Sequence, residues 1–203
     1  SKDLSMPVRI FEEHAGQNQI DLSEQMLETG NGLIEILGYG NTIYIGNPIA
    51  CAHIHLKIHG NNHVYIGEQC VLNGVNIQLI APGSLRIGAR TGFNGHSHIH
   101  MHESAKIEIG ENCLIAEGTN FSTSHVHKII DVATGERLNP PGDVIMEDHV
   151  WSAGSVSLWG GAHIRRDSVV GKGSFVSKQS FPPNSLIIGA PARVVREGVT
   201  WEQ

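Results

Sequence analysis

The sequence predicts an all-β fold, a parallel β-helix in which short strands stack coil upon coil into a solenoid. The main observation is a six-residue repeat between Met146 and Val176. Bulky and small inward positions alternate along it as Met146, Ser152, Leu158, Ile164, Val170 and Val176, and as Val150, Val156, Ala162, Ser168 and Ser174. A unit of six residues cannot bury these side chains alone, so it must stack on copies of itself, three units to a triangular coil.

The N-terminal half carries the same repeat with a longer period. The segments TIYIG, HVYIG, SLRIG and KIEIG end at Gly46, Gly67, Gly88 and Gly110, which are 21, 21 and 22 residues apart. Each spacing equals one coil plus a short turn insertion. The β-branched and aliphatic residues favour buried strands, and the Gly and Asn clusters between them favour corners with positive φ.

We expect one domain in three parts. Residues 1–31 have mixed polarity and predict an N-terminal cap, a short helix or irregular segment over the first coil. Residues 32–178 should form the β-helix, from which residues 125–143 leave as an extruded loop because they contain a Thr-Gly turn and a Pro-Pro pair. Residues 179–203 should form a closing C-terminal segment, a strand and a short tail.

Composition excludes several classes of function. The net charge of -6 argues against a protein that binds nucleic acid by neutralising phosphates. No apolar run reaches the roughly 18 residues of a membrane helix, and the first residues lack the apolar core of a signal peptide, so we expect a cytoplasmic protein. Cys51, Cys70 and Cys113 have neither disulfide nor zinc spacing. Cys70 and Cys113 lie in the small inward position of the repeat, and we expect them to pack inside the coils.

Three motifs accompany the repeat: STSHVHKIIDVATGERLNPPGD at the extruded loop, HVW at residues 149–151 and GAPARVVR at residues 189–196. Together they resemble the hexapeptide-repeat acetyltransferases, in particular the branch that O-acetylates sugars and polysaccharides. The resemblance covers about residues 40–201. It implies a left-handed β-helix, a homotrimer with active sites between subunits, acetyl-CoA as acyl donor and no required metal.

The same resemblance assigns the catalytic residues. His127 lies 24 residues before Trp151, the separation found in related sugar acetyltransferases, and so inherits the role of general base. Many relatives have Asp two residues before that histidine, whereas this chain has His125, which we take as its partner or substitute. Asn94 aligns with a cleft asparagine of the galactoside-type enzymes, and Trp151 with an indole that flanks the site. The structural alternatives are a corner asparagine and simple cover for the loop.

Coenzyme A carries phosphates, so its site should be locally basic. Between Arg165 and Arg196 the chain has six cations and one acid, Asp167, although solvated outward charge would explain the same pattern. By family position Gly154 and Lys172 would line the pantetheine groove. The adenine ribose phosphate end would meet Ser177, Lys178, Arg193 and Arg196.

A histidine stripe leaves other enzymes open. His96, His98, His100 and His102 alternate, so on a strand all four point to one side. If the coils register as the repeats suggest, His53, Asn76 and His98 form one row, and His55, Gln78 and His100 another. The stripe would suit a divalent metal, as in a γ-type carbonic anhydrase, or an outward polar ladder.

We therefore predict an acetyl-CoA-dependent O-acetyltransferase that acts on a sugar hydroxyl of a glycan or polysaccharide precursor. His127 takes the hydroxyl proton and the oxygen attacks the thioester directly, since no cysteine or serine is placed as an activated nucleophile. The alternatives are an N-acetyltransferase on an amino sugar, the carbonic anhydrase-like metalloenzyme and a non-catalytic binding scaffold. The sequence does not identify the acceptor.

Overall fold

The structure, a computed structural model, describes residues 7–203 and confirms the predicted left-handed parallel β-helix. Its coils have three faces, which we number in chain order. The first face is an eight-stranded sheet, one strand per coil: β2 (Gln19–Leu22), β4 (Thr42–Ile45), β7 (Asn62–Ile66), β9 (Gly83–Ile87), β11 (Lys106–Ile109), β14 (Val144–Met146), β17 (His163–Ile164) and β20 (Ser180–Phe181).

The other two faces share two long strands that turn a corner, β8 (Val71–Leu79) and β10 (Gly92–Met101), and so form one 14-stranded sheet. The second face holds their N-terminal parts with β5 (Ala50–Ala52), β12 (Leu114–Ala116), β15 (Trp151–Ser152), β18 (Val169–Val170), β21 (Ser185–Gly189) and the antiparallel β22 (Ala192–Glu197). The third face holds their C-terminal parts with β1 (Val8–Glu12), β3 (Gly32–Leu37), β6 (Ile54–His59), β13 (Asn120–Ser122), β16 (Ser157–Trp159) and β19 (Phe175–Val176).

The core is the stack of inward residues that the repeat predicts. Every residue of the two predicted sets is at most 1% exposed. On the first face Ile45, Ile66, Ile87 and Ile109 stand in register, and each such side chain contributes roughly 1.5–3 kcal/mol by leaving water. Ser152 occupies a bulky slot, but its hydroxyl lies 2.8 Å from the Thr119 hydroxyl, so the polar pair is satisfied inside the coil.

Both ends of the solenoid extend beyond the expected boundaries. β1 and β2 pair in parallel with β3 and β4, so a coil already begins before residue 32. The expected short helix, α1 (Glu24–Thr29), takes the place of the second-face strand there, capped by Ser23, and its Met26 is fully buried. At the other end β20 and β21 continue the faces beyond residue 178. Within residues 7–203 no helix has the length and apolarity to cross a membrane.

Of the predicted histidine rows, the pairs Asn76–His98 and Gln78–His100 are confirmed, but the first member of each row is wrong by two residues. His98 aligns with Asn76 and His55, whereas His100 aligns with Gln78 and Lys57. His53 lies in no strand, because its φ of 54° places it in a corner. The bend that this corner requires shifts the strand after it by two residues, which strand alternation alone does not reveal.

Two corners matter for the site. The polar corner, between the first and second faces, stacks five side chains whose residues have φ of 53–60°: Gln69, Arg90, Asn112, His149 and Asp167. The glycine corner, between the second and third faces, contains Gly95, Gly118, Gly154 and Gly173, all at positive φ. The left-handed conformation turns the chain sharply and points the polar side chains outward in a column.

Candidate active site

The extruded loop, residues 125–143, leaves the third corner of the solenoid between β13 and β14. Among the contacts that tie it to the coils, two are made by basic side chains. Arg137 donates to both carboxylate oxygens of Glu103 at 2.7 Å, and the Lys178 ammonium donates to the Leu138 carbonyl at 2.8 Å. The hydrogen bonds from Arg137 lower the pKa of Glu103 to about 2, so this carboxylate stays ionised and keeps the loop anchored.

The two candidate histidines flank a strained turn at the root of the loop. The His127 amide donates to the His125 carbonyl at 2.6 Å, which closes a γ-turn around Val126 at φ 61°. This form of γ-turn is rare, and a β-branched residue rarely adopts such a conformation. The Ser124 hydroxyl accepts from the Val126 amide at 3.2 Å and helps to hold it. Strain of this kind concentrates at functional sites.

Asn139 fixes the turn from the other side of the loop. Its carboxamide oxygen accepts from the Ile129 amide at 2.7 Å, and its NH₂ donates to the His127 carbonyl at 2.8 Å. Asn139 is buried, whereas both histidine side chains are exposed. The backbone of His127 is therefore held rigidly while its ring faces outward.

The two rings differ in their surroundings. His125 stacks on Trp159, with centroids 4.3 Å apart and planes 30° apart, beside a cleft of about 190 Å³. The His127 ring has no hydrogen-bond partner among residues 7–203. The His125 ring is engaged with Trp159 and is not hydrogen-bonded to the His127 ring, so it does not hold that ring as an Asp at its position would.

Other predicted residues lie elsewhere in the same chain. Asn94 is exposed at the end of the second-face part of β10, next to the glycine corner. Gly154 and Lys172 lie at that corner two and three coils further on, so these three residues share one side of the solenoid. Trp151 lies on the outward side of the second face, next to Leu114. The third face separates this group from His127.

The phosphate-binding candidates are more dispersed. Ser177 and Lys178 lie at the loop corner, where the Lys178 ammonium is already bound to the Leu138 carbonyl. Arg193 and Arg196 project from β22, and Arg193 also donates to the neighbouring Ala192 carbonyl. Within residues 7–203, Lys172, Arg193 and Arg196 form no ion pair with a carboxylate. Free exposed cations suit an anionic ligand.

The histidine stripe forms an edge-to-face stack. Ring centroids are 5.4 Å apart from His98 to His100 and 5.7 Å apart from His100 to His102. Burial, with smaller contributions from the flanking histidines, lowers the pKa of His100. In the part of the chain that the structure describes, no three His, Cys, Asp or Glu side chains are placed to hold a metal ion.

Comparison with known proteins supplies the family. No family model matches the chain. A polysialic acid O-acetyltransferase from Neisseria meningitidis is 32% identical over 197 residues, which is 97% of this chain and 91% of the relative. The chain belongs to the hexapeptide-repeat O-acetyltransferases. It is also 34% identical to the galactoside O-acetyltransferase of Escherichia coli strain K12, over about half of each protein.

Solved structures agree with this membership. The superposition on the polysialic acid O-acetyltransferase OatWY covers 97% of this chain and 90% of the OatWY chain, with a TM-score of 0.63 and 26% sequence identity. The polySia specific acetyltransferase NeuO gives a TM-score of 0.75 at 21% identity, which supports the fold. The chain is therefore an acetyltransferase, and membership of the family implies acetyl-CoA as the acyl donor.

The cysteines of this acetyltransferase are unsuited to covalent catalysis. All three are buried and free, and burial raises the pKa of Cys51 to about 11 and that of Cys113 to about 12. A thiol that remains protonated at neutral pH is a weak nucleophile. Cys70 and Cys113 fill the small inward positions that the repeat assigned to them.

Sequence reasoning missed three features of this acetyltransferase. Asn139, within the quoted loop motif, carries the two hydrogen bonds that fix His127. Arg137 and Glu103 lie 34 residues apart, and only the fold brings them together. Trp201 folds back onto the polar corner, where its indole N–H donates to the His149 carbonyl at 2.8 Å. The only sequence signal for Trp201 was an isolated aromatic residue in a polar tail.

Proposed function

We propose that this enzyme transfers the acetyl group of acetyl-CoA to a hydroxyl of a sialic-acid-containing polysaccharide, with His127 as general base. The observation that carries the proposal is the strained turn, held by Ser124 and Asn139, that presents the His127 ring outward at the root of the extruded loop. That relative is named for polysialic acid, and its similarity runs through almost the whole chain, which favours a related acceptor.

The chemistry needs one base and one oxyanion donor. The His127 ring takes the proton of the sugar hydroxyl as its oxygen attacks the thioester carbonyl, and the proton then goes to the departing sulfur. Transfer is direct, because the buried cysteines have raised pKa values and offer no activated nucleophile. The Asn94 amide is the candidate donor for the oxyanion, and Trp151 the candidate aromatic wall.

We propose that a second copy of the chain completes the site. Within one chain His127 lies at the loop corner and Asn94 next to the glycine corner, so they belong to different sides of the solenoid. The extruded loop also exposes Ile129, Ile130 and Val132, an apolar group suited to burial against another subunit. A homotrimer with each site between neighbouring subunits would satisfy both observations.

Acetyl-CoA would lie along the glycine corner. There Gly154 adopts φ 97° and is buried, so no side chain fills the groove, while Lys172 is exposed beside it. Arg193 and Arg196 supply further donors for phosphate. Lys178 would have to release the Leu138 carbonyl before it could contribute. The three free cysteines suit a reducing compartment, and we place the reaction in the cytoplasm.

The function is tested by release of free CoA from acetyl-CoA with polysialic acid, galactosides, maltose and amino sugars as acceptors. We expect acceptor-dependent release with polysialic acid, and an acetyl ester in the product by mass spectrometry. His127→Ala should reduce turnover at least 100-fold without loss of folding. Turnover confined to an amino sugar would replace this proposal with N-acetylation.

Subunit sharing is tested by complementation. His127→Ala and Asn94→Ala chains with different tags are co-expressed and the mixed oligomer is purified. If each site takes His127 from one subunit and Asn94 from its neighbour, random mixing leaves about a quarter of the sites intact. Sites within single chains would stay inactive in every mixture. Light scattering on the purified protein gives the subunit number independently.

A further inference from the structure

The second face carries a cleft of about 590 Å³ between its outward surface and the tail, residues 198–203. This volume lies within the roughly 300–1,000 Å³ of small-ligand sites. Its floor is formed by Val71, Gly92 and Leu114, which stand in register on three successive coils. Gly92 has no side chain, so the floor is open at the middle one of these coils.

One wall of the cleft is the polar corner. Gln69, Arg90, Asn112 and His149 line it, each pointed outward by a left-handed backbone. Arg90 donates to the Asn112 carboxamide oxygen at 2.8 Å and pairs with Glu111 at 2.6 Å, so its charge is already balanced. The wall therefore offers a ligand planar amide and imidazole groups, and little net charge.

Trp201 closes the cleft at the His149 end of this wall. The tail reaches it by running back along the polar corner, where Asn184 and Val199 exchange two hydrogen bonds. The indole stacks on His149 with centroids 4.6 Å apart and planes 15° apart, while His149 is held by Asp167 at 2.9 Å. The centroid of the Trp151 ring lies 6.2 Å from that of the Trp201 ring. The indole is thus fixed by a ring stack and by its bond to the His149 carbonyl.

Resting on the proposed function, we infer that this second-face cleft binds the acceptor glycan, with Trp201 as the platform on which a sugar ring stacks. A sugar ring has an apolar C–H face that packs on an aromatic ring, and a rim of hydroxyl and acylamino groups that bonds to amide side chains. The cleft offers both.

Position supports the same assignment. Asn94 lines the cleft and lies next to the glycine corner, where the proposed donor groove contains Gly154 and Lys172. An acceptor in the cleft would reach Asn94 from one side while the acyl donor reaches it from the other. Because the charge of Arg90 is already balanced, we expect the acceptor to be bound mainly by stacking and by hydrogen bonds to the amide side chains, rather than by ion pairs.

Three variants test this. Trp201→Ala should raise the acceptor KM about tenfold, as the loss of roughly 1.4 kcal/mol of stacking would do, with KM for acetyl-CoA within twofold of wild type. Trp201→Phe should retain most of the affinity. Gly92→Leu should block the cleft without straining the backbone, because a Cβ there meets only ordinary contacts at 3.7 and 4.0 Å. Tyr39→Ala, which removes an exposed aromatic residue from an early coil, is the matched control.

Calorimetric titration without acetyl-CoA separates this inference from the proposed function. The probes are oligosaccharides of sialic acid, galactose and glucose. Binding by wild type that Trp201→Ala weakens supports the cleft even if no acetyl transfer occurs, in which case only the proposed function fails. Acetyl transfer with acceptor KM unchanged in Trp201→Ala and Gly92→Leu would overturn the cleft assignment alone. Absence of binding to every oligosaccharide would also overturn it.

Discussion

Asn139 gives the sharpest test of how the loop prepares its histidine. Asn139→Ala removes the bond to the Ile129 amide and the bond to the His127 carbonyl, and leaves both backbone groups without their partner. At about 1 kcal/mol net for each bond, the ordered turn should lose about 2 kcal/mol, which is roughly a 30-fold change in its equilibrium with open forms. The strain at Val126 favours the open forms further.

A matched variant separates the effects of the two hydrogen bonds. Asn139→Asp keeps an acceptor for the Ile129 amide but places a carboxylate oxygen against the His127 carbonyl, where no donor remains. We expect Asn139→Ala to lower kcat and speed hydrogen exchange of the Ile129 amide. Asn139→Asp should lower kcat by about tenfold with that amide still protected.

The assays are steady-state acetyl transfer and hydrogen exchange resolved to the loop peptide. Thermal unfolding of the solenoid serves as a control, because its core lies outside the loop. Wild-type kcat in Asn139→Ala, combined with faster exchange at Ile129, would refute the reasoning. It would mean that the loop can open without displacing the catalytic group.

Three further predictions concern the same region and the core. Val126→Gly should relieve about 1–2 kcal/mol of strain and lose about 0.5–1 kcal/mol to chain entropy, so Tm should hold or rise while kcat falls; a markedly lower Tm would contradict this. The pKa of Glu103, about 2, lies below the ordinary 4.5, so its ion pair with Arg137 is lost only as the pH falls through about 2. Limited proteolysis should therefore find the loop equally protected at pH 4 and pH 7. Cys51 and Cys113, with raised pKa values, should resist a thiol reagent at pH 8 until urea unfolds the protein; rapid labelling of native protein would disprove their burial.

The repeat predicted the core because a solenoid makes the same contact in every coil. Once Met146 and Leu158 are inward, their neighbours in adjacent coils are fixed by stacking, and all prove buried. The small position at Cys113 followed from the same rule. Such regularity is local information, which a sequence displays directly.

What the sequence did not reveal depends on corners and on distant contacts. The row that included His53 failed because one left-handed residue changes the register of the strand after it. The ion pair of Arg137 with Glu103 joins residues that are 34 apart in sequence. The hydrogen bond of Trp201 to His149 joins residues that are 52 apart. Neither spacing is a multiple of the repeat, so periodicity carried no signal for these contacts.

The division of the site between corners is likewise a three-dimensional fact. Sequence order places Asn94 and His127 in successive coils, which suggests proximity. The structure places the third face between them, and the His127 ring has no hydrogen-bond partner among residues 7–203. The family resemblance implied shared sites between subunits, and the fold adds the physical reason, which is that the two side chains lie on different sides of one solenoid.

In the proposed mechanism His127 removes the proton from an acceptor hydroxyl in direct transfer from acetyl-CoA. Single-turnover acetyl transfer to polysialic acid by His127→Ala, compared with wild type and His125→Ala over a range of pH, tests it most directly. We predict that His125→Ala keeps the wild-type dependence of the rate on pH, and that His127→Ala loses both the rate and this dependence. An unchanged profile in His127→Ala would contradict the account.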